Sequence, residues 1–326
     1  MDKVLIAPAA LMGLQAEFAT VLQHAGFELV YPKKKAQMVE SEVIEQLADI
    51  RAVVAGSEPY TPNVFKAHPQ LRVIARAGVG YDAVDTTAAT EAGVAVTIAP
   101  GTNQDSVAEH TFTLILAIAK NLITQHRDTC ALKWPRGTNL PLRGKTLGIA
   151  GLGRIGKAVA LRGECFRMKL LAYEPFPDHA FAKAHDITFV SLDELLAQSD
   201  FLTLHLPVTK ESKYLINKQT LAKMKPSAYL INTARGLIVK EADLIAALQA
   251  KKLAGAGLDV FEDEPPADSP LFHMDNVVVT PHAAGVDLQS RDDMALSAAQ
   301  AIVSLATGDW PAEKVVNPEV KPKYRW

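Results

Sequence analysis

Residues 144–156 read GKTLGIAGLGRIG, the most informative stretch of the chain for its architecture. Thr146–Ala150 is a continuous apolar run, which is typical of a strand buried on both faces of a parallel sheet. The run leads directly into a G-x-G-x-x-G turn, and a helical pattern begins near Arg154. The order of strand, glycine-rich turn and helix predicts the first unit of a dinucleotide-binding domain.

Each glycine of the turn has a separate physical role. Gly151 permits the tight turn, Gly153 lets the backbone approach a pyrophosphate, and Gly156 lets the helix pack closely on the sheet. Arg154 and Ile155 fall in the first helical turn, where backbone N–H groups and the helix dipole favour an anion. We therefore predict that all five residues bind the dinucleotide.

Glu174 follows the next strand, close to the roughly 20-residue spacing expected of a ribose-binding acid. A carboxylate at that place accepts hydrogen bonds from the ribose hydroxyls and repels a 2′-phosphate. The sequence therefore favours NAD over NADP, and a solvated glutamate at a strand end is the alternative.

Strands and helices alternate through most of the chain, which predicts parallel sheets covered by helices. Other predicted strands are Val4–Ala7, Ala52–Ala55, Arg72–Ala75, Leu170–Tyr173, Phe201–Leu204, Tyr229–Asn232, Gly255–Leu258 and Val277–Thr280. Predicted helices include Leu11–Ala25, Glu42–Leu47, Ser106–Gln125 and Asp287–Ala306. The strands predicted from residue 146 onward are enough for a second sheet of about six or seven strands.

Two long helices are candidate connectors between domains. The first, Ser106–Gln125, has Ser106 as a plausible N-cap with Glu109 three residues later. The second is Asp287–Ala306. We predict an α/β fold with two doubly wound domains, Rossmann-like or flavodoxin-like, with parallel sheets and an interdomain cleft. The predicted substrate-binding domain is 1–104 plus 294–326, and the predicted NAD-binding Rossmann domain is 105–293.

Composition excludes several classes of protein. The chain has 326 residues, of which 48% are hydrophobic and 21% charged, as in ordinary globular proteins. A net charge of −2 gives no basic field for nucleic acid or a membrane surface. The basic run 33–35 is short and predicts a solvated loop. Cys130 and Cys165 form no ligand cluster, so we expect no metal and no disulfide framework. The apolar stretch 112–119 is too short to span a membrane, and we expect a cytoplasmic protein.

Three polar groups follow three strands of the second half. Arg235 follows one strand, Glu264 lies in the loop after another, and His282 follows a third. Arginine grips a carboxylate with two parallel hydrogen bonds, histidine moves protons near neutral pH, and a carboxylate holds the imidazole in one tautomer. Ligands of open α/β sheets bind beyond the carboxyl ends of the strands. Taken alone, Arg235 could form a surface ion pair and His282 a capped turn; together they predict hydride transfer to a ketone.

The sequence resembles the D-isomer-specific 2-hydroxyacid dehydrogenases nearly from end to end. The resemblance rests on four ordered motifs, which are 144–156, Asn232–Gly236, Leu258–Phe261 continuing to Glu264-Pro265, and Thr280–His282. It implies hydride transfer between NAD(H) and a small 2-hydroxy or 2-keto acid. It also implies a homodimer formed through the cofactor domain.

The resemblance assigns roles to individual residues. Arg235 would bind the substrate carboxylate and polarise the keto group, His282 would donate and accept the proton, and Glu264 would be its partner. Asp259 would hold the carboxamide end of the nicotinamide. The other implied cofactor contacts are His205, Pro207, Ser212, Thr233, Ala234, Arg235, His282 and Gly285. The implied substrate contacts are Arg76, Val79, Gly80, Arg235 and His282.

The substrate is less clearly indicated. Arg76 before the Ala77-Gly78 loop resembles the phosphoglycerate dehydrogenase branch and favours 3-phosphoglycerate and phosphohydroxypyruvate, because a phosphate needs such a cation. Ala83 and Asp287 depart from that branch, and we expect no regulatory domain after Trp326. The alternatives are a glyoxylate/hydroxypyruvate reductase, with Arg76 paired to a nearby acid, and a non-catalytic NAD(H)-sensing protein resembling corepressors.

Overall fold

The computed structural model describes residues 1–34 and 36–326. Lys35 lies outside the described residues, so the predicted loop is seen only in part. Lys33 and Lys34 are exposed and pair with Glu45 and Glu42 at 2.5 and 2.7 Å. The chain forms two compact units, one of Met1–Asn103 with Val286–Trp326 and one of Gln104–Gly285.

The first unit is a five-stranded parallel sheet, counted over its described residues, with strand order β2-β1-β3-β4-β5. This is the flavodoxin-like order. The strands are β1 Lys3–Ile6, β2 Glu28–Val30, β3 Ile50–Ala55, β4 Val73–Arg76 and β5 Ala95–Thr97. The helices are α1 Glu17–His24, α2 Glu40–Gln46, α3 Pro62–Ala67, α4 Thr86–Glu91 and α12 Leu288–Thr307.

The second unit is a seven-stranded parallel sheet with order β12-β11-β10-β9-β6-β7-β8. Its order reverses between β6 and β9, as in the Rossmann fold. The strands are β6 Thr146–Ala150, β7 Lys169–Tyr173, β8 Ile187–Phe189, β9 Phe201–Leu204, β10 Tyr229–Asn232, β11 Gly255–Leu258 and β12 Val277–Val279. The helices are α5 Gln104–Ala119, α6 Leu122–Cys130, α7 Arg154–Cys165, α8 His179–Ala184, α9 Leu192–Gln198, α10 Lys218–Leu221 and α11 Glu241–Gln249.

The prediction of two parallel α/β domains is confirmed. Central strands such as β6 and β9 are almost wholly buried because helices cover both faces of the sheet. Among the described residues, no helix combines the length and apolar character needed to cross a membrane.

Several helix boundaries differ from the sequence prediction. The predicted helix Leu11–Ala25 begins only at Glu17. The predicted helix Ser106–Gln125 is two helices, because Asn121 adopts a left-handed conformation with φ of +49° between α5 and α6. Ser106 is not an N-cap, since α5 begins at Gln104. The short strands β2, β5 and β8 were not predicted.

The chain returns to the first unit after Gly285, before α12 begins. The sequence placed this return at residue 293, inside the helix. The difference has a physical reason, because α12 packs along α1. Its buried Ala295 and Ala298 join the same apolar cluster as Phe18 and Leu22.

Candidate functional site

The glycine-rich turn lies at the carboxyl end of β6, where the strand order of the second unit reverses. Gly151 has a φ of +95°, and a Cβ there would lie 2.6 Å from the carbonyl oxygen of His205. A Cβ on Gly156 would lie 2.0 Å from the carbonyl oxygen of Gly151. Both glycines are therefore required by the packing of the protein itself.

Gly153 differs from its two neighbours in the motif. A Cβ placed on it would meet no protein atom within 4 Å among the described residues. Gly153 is also the N-cap of α7, whose first residues are Arg154 and Ile155, so unpaired N–H groups of the helix start beside this open space. A backbone cradle at a helix N-terminus suits a pyrophosphate, and these residues fit a dinucleotide.

Glu174 follows β7 and connects back to the glycine-rich turn. Its Oε2 accepts a hydrogen bond from Leu152 N at 2.7 Å, and its Oε1 accepts one from Phe176 N at 3.0 Å. The carboxylate thus holds the turn in place. Each carboxylate oxygen can accept more than one hydrogen bond, so the predicted contact with ribose hydroxyls is compatible with these bonds.

His205 follows β9 and lies against the same turn. Its Nε2 lies 2.9 Å from Thr203 Oγ1, while its Nδ1 is buried without a hydrogen-bond partner among the described residues. Burial lowers the pKa of His205 to about 3, so this imidazole is neutral. The next loop is held by Ser212, whose Oγ donates to the carbonyl of Pro207 at 2.5 Å and accepts from Thr209 N at 2.7 Å.

Arg235 follows β10 in a loop that side chains hold rigidly. Asn232 Oδ1 accepts from Ala234 N at 3.0 Å, and Asn232 Nδ2 donates to the carbonyl of Arg235 at 2.9 Å. A Cβ on Gly236 would lie 1.8 Å from the carbonyl oxygen of Phe261, so the loops after β10 and β11 touch through their backbones. The neighbouring Thr233 is buried, and its Oγ1 lies 2.9 Å from Thr111 Oγ1.

Glu264 and His282 form a hydrogen-bonded pair. The Glu264 Oε2 atom lies 2.6 Å from His282 Nδ1, and Glu264 Oε1 accepts from Phe261 N at 3.0 Å. Burial acts to raise the pKa of Glu264. The hydrogen bond and charge of His282, the Phe261 N–H and the charge of Arg235 outweigh burial and lower this pKa below its ordinary value. The three predicted catalytic groups therefore lie together.

Asp259 is fully buried and holds the loop that carries His282. Its Oδ1 accepts from Ala283 N at 2.9 Å, and its Oδ2 accepts from Ala284 N at 2.9 Å. Its backbone carbonyl accepts from His282 N at 2.8 Å. The contact with the nicotinamide that the resemblance implies for Asp259 remains a prediction. Gly285, the last residue of the second unit, follows this loop.

Sequence reasoning missed three polar residues that contact this loop. The Oγ of Ser106 donates to the carbonyl of Ala284 at 2.8 Å. His110 Nε2 lies 2.9 Å from Thr280 Oγ1, which donates to Asp259 Oδ1 at 2.6 Å. Ser106 and His110 are four residues apart and so share one face of α5. Two polar residues on one face of an otherwise apolar helix are the feature of the sequence that could have indicated this contact.

Arg76, Val79 and Gly80 belong to the first unit. Arg76 is buried at the end of β4, where its Nε donates to the carbonyl of Gly80 at 2.8 Å and its Nη1 to that of Ala55 at 3.1 Å. Val79 and Gly80 are half-buried. Glu58 is buried nearby; burial raises its pKa, while the Glu58 and Gly56 N–H groups and the charge of Arg76 act against the rise.

Comparison with known proteins points to one family. Residues 112–284 match the model of the D-isomer specific 2-hydroxyacid dehydrogenase, NAD binding domain. A glyoxylate reductase of Korarchaeum cryptofilum is 38% identical over 90% of this chain and 91% of its own. A D-3-phosphoglycerate dehydrogenase of Archaeoglobus fulgidus is 41% identical over 88% of this chain, which spans only 55% of that relative.

A solved structure with bound ligands is also similar. The D-lactate dehydrogenase of Aquifex aeolicus, complexed with NAD and lactic acid, has a TM-score of 0.85 and 30% identity. The alignment covers 96% of this chain and 99% of that one. The similarity therefore extends over both units of the fold.

Proposed function

Because the chain belongs to the D-isomer specific 2-hydroxyacid dehydrogenase family, we propose that it interconverts a small 2-keto acid and its D-2-hydroxy acid. The protein is an NAD-dependent oxidoreductase that acts on CH–OH groups. The observation that carries the proposal is the 2.6 Å contact between Glu264 and His282, with Arg235 close enough to lower the pKa of Glu264.

The residues that would hold NAD are those of the glycine-rich turn and the loops beside it. The open cradle at Gly153 and the start of α7 would take the pyrophosphate, and Glu174 would bind ribose hydroxyls. When bound, the nicotinamide supplies or accepts the hydride. His205, which burial keeps neutral, would present an uncharged surface beside the turn.

His282 is the proposed proton donor for ketone reduction. Its Nδ1 lies 2.6 Å from Glu264 Oε2, which fixes the orientation of the ring. Nε2 lies on the opposite side of the ring, and 45% of the side chain is exposed, so a substrate can approach it. During oxidation, the neutral imidazole would accept the hydroxyl proton at the same nitrogen.

Arg235 is the proposed carboxylate-binding residue. Its guanidinium group lies close enough to Glu264 to lower the pKa of that residue, and its loop is held by Asn232. A planar guanidinium binds a carboxylate through two parallel hydrogen bonds. Arg235 would thereby place the keto carbon within reach of the nicotinamide, and it would also polarise the carbonyl. The loop Val79–Gly80 remains a proposed second contact for the carboxylate.

The environment of Arg76 favours a substrate without a phosphate. Its Nε donates to a backbone carbonyl of the loop after β4 and its Nη1 to that of Ala55 at the end of β3, and a buried carboxyl, Glu58, lies close by. Arg76 therefore has a structural use that requires no phosphate. We propose glyoxylate, hydroxypyruvate or another small 2-keto acid as the substrate class. This assignment also agrees with the glyoxylate reductase found among the relatives.

Phosphohydroxypyruvate is the second candidate. The position of Arg76 at the carboxyl end of β4, where ligands of such sheets bind, favours it. The phosphoglycerate dehydrogenase of Archaeoglobus fulgidus is also 41% identical over its shared part.

The test is NADH oxidation by the purified protein against glyoxylate, hydroxypyruvate, phosphohydroxypyruvate, pyruvate and 2-ketoglutarate. We expect the highest kcat/KM with an unphosphorylated acid, and a D-configured product wherever the product is chiral. A clear preference for phosphohydroxypyruvate would overturn the substrate class while leaving the reaction type. Tight NADH binding without turnover of any of these acids would contradict the enzymatic proposal and support a NAD(H)-sensing role.

We also propose that the protein is a homodimer formed through the second unit. No described residue of α6 is buried, although the helix begins with Leu122 and Ile123. The segment that follows exposes Leu132 and Trp134, at 95% and 74%. A group of exposed large apolar side chains is typical of a protein–protein interface. A second copy of the chain would cover this surface.

The cytoplasm is the proposed location. Cys130 and Cys165 are both exposed and unpaired. Free exposed thiols persist in a reducing compartment and tend to oxidise outside it.

A further inference from the structure

We propose that Thr280 and His110 are positioning residues that hold His282 in its reacting orientation. This inference rests on the proposed function, because it takes His282 as the proton donor. Among the described hydrogen bonds, those of Thr280 and His110 do not involve the side chains of Glu264 or His282. Their effect passes through Asp259, whose carboxylate and backbone both bind the loop that carries His282.

The hydrogen bonds around Thr280 allow one arrangement of protons. Thr280 Oγ1 donates its single proton to Asp259 Oδ1 at 2.6 Å. The same oxygen lies 2.9 Å from His110 Nε2, so it can only accept there, and His110 must carry a proton on Nε2. A directional chain therefore runs from His110 through Thr280 to the buried carboxylate. His110 Nε2 is also only 3.5 Å from Asp259 Oδ1.

The buried carboxylate requires these donors. Asp259 is fully buried, and an unpaired buried charge is strongly unfavourable. Among the described residues, Thr280, Ala283 and Ala284 donate hydrogen bonds to its carboxylate, so the hydroxyl of Thr280 is one of three donors. Without its hydroxyl, the carboxylate would turn toward other donors or toward solvent. The two loop N–H groups would then lose their fixed partner.

The loop depends on that partner because its backbone is unusual. His282 has a φ of +54°, in the left-handed region, and is neither glycine nor asparagine. A chain holds such a conformation only where surrounding contacts impose it. The bonds from His282 N to the Asp259 carbonyl and from Ala283 N and Ala284 N to its carboxylate are those contacts. A displaced Asp259 would release the loop and move His282 away from Glu264.

A second contact ties the loop to the same helix face. Ser106 Oγ donates to the carbonyl of Ala284 at 2.8 Å, one helical turn before His110. The helix α5 therefore holds the loop at two places, through a direct bond and through the Thr280 chain. Since α5 packs on β10, β11 and β12, it provides a rigid base for both bonds.

The primary test compares Thr280→Val with Thr280→Ser. Valine keeps the shape and removes the hydroxyl, whereas serine keeps the hydroxyl. We expect Thr280→Val to lower kcat roughly 10- to 100-fold, because small misplacements of a reacting group are costly. The substrate KM should change less than about threefold, and Thr280→Ser should stay within about threefold of wild type in kcat. Thr113→Val on α5, whose hydroxyl binds only its own helix, is the matched control.

A double-mutant cycle tests whether Thr280 acts through His282. We expect Thr280→Val to change the residual turnover of the His282→Ala protein less than about twofold, since the group it positions is gone. An equal loss in both backgrounds would overturn the inference, as would a Thr280→Val protein with wild-type kcat. Full activity of His282→Ala would instead overturn the proposed function. Should Thr280→Val not fold, His110→Leu and His110→Gln provide the same comparison, because glutamine can still donate to Thr280.

Discussion

His282 combines an unfavourable backbone conformation with a precise side-chain contact. The left-handed conformation costs a residue with a Cβ about 1–2 kcal/mol, although histidine tolerates it better than most residues. Hydrogen bonds from three successive N–H groups, those of His282, Ala283 and Ala284, to Asp259 offset that cost. The local sequence contains no sign of this conformation, because Asp259 lies on a different strand connection. The sequence therefore predicted His282 as a site residue but did not predict its left-handed backbone conformation.

Replacing Glu264 with glutamine should change the pH dependence of catalysis. Burial acts to raise the pKa of Glu264, but the hydrogen bond and charge of His282 outweigh it and lower this pKa, so the carboxylate stays charged at neutral pH. In the wild type, activity should fall in acid as this carboxylate takes up a proton and loses its charge beside His282. Glutamine does not titrate, so this acid limb should be absent from Glu264→Gln, and its kcat/KM should be lower at neutral pH. Profiles of kcat/KM against pH in both reaction directions measure the change.

The control is Glu262→Gln in the same loop, where the carboxylate accepts from Glu241 N at 2.8 Å. Its profile should match that of the wild type. A Glu264→Gln profile that coincides with the wild type would remove Glu264 from the mechanism.

In the turn between β6 and α7, we expect Gly156 to be needed for folding and Gly153 to be needed for binding the cofactor. Gly156→Ala would bring a methyl group to 2.0 Å from the Gly151 carbonyl, so it should destabilise the protein by about 1–3 kcal/mol. Gly153→Ala meets open space and has a φ of −69°, which alanine tolerates. We expect Gly153→Ala to leave Tm within about 2 °C and to raise the NADH Kd at least 10-fold, because the methyl group would stand where the pyrophosphate approaches.

Thermal unfolding and NADH fluorescence titration measure the two effects in the same preparations. Leu161→Val, at an exposed residue later in the same helix, serves as the control for a small change of side chain in α7. A Gly153→Ala protein that binds NADH as well as the wild type would place the pyrophosphate elsewhere.

Strands β6, β9, β10 and β11 were predictable because each is a buried run of mostly apolar residues bounded by turn residues, whereas the three-residue strand β8 was not predicted. The predicted bounds of β6, β9, β10 and β11 match those of the structure. The first sheet was predicted less completely, since β2 is only three residues long and partly exposed. The end of α5 could not be foreseen either, because no glycine or proline marks the left-handed Asn121.

For the whole molecule, the sequence predicted two domains and the residues at their strand ends but could not predict how distant loops meet. The contact between the Arg235 loop and the Phe261 loop is made by backbone atoms, with Gly236 against the Phe261 carbonyl. No periodic pattern in the sequence predicts such a contact, because it joins loops that become neighbours only in the folded sheet. The order of the motifs along the chain suggested that the catalytic groups lie close together. The distances between them depend on which strands are neighbours in the sheet.

The exposed surface of α6 and the following loop gives a prediction about assembly. Leu132 and Trp134 are large, apolar and almost fully exposed, and tryptophan is frequent among residues that dominate interfaces. Leu132→Lys with Trp134→Lys should therefore convert a dimer into a monomer, because each lysine would be buried unpaired against the second copy. Val39→Lys, at an exposed apolar residue of the first unit, is the control and should leave the dimer intact. Light scattering after size-exclusion chromatography measures the mass. A wild-type protein with the mass of one chain would refute the dimer, and a dimer that survives the double lysine variant would place the interface on another surface.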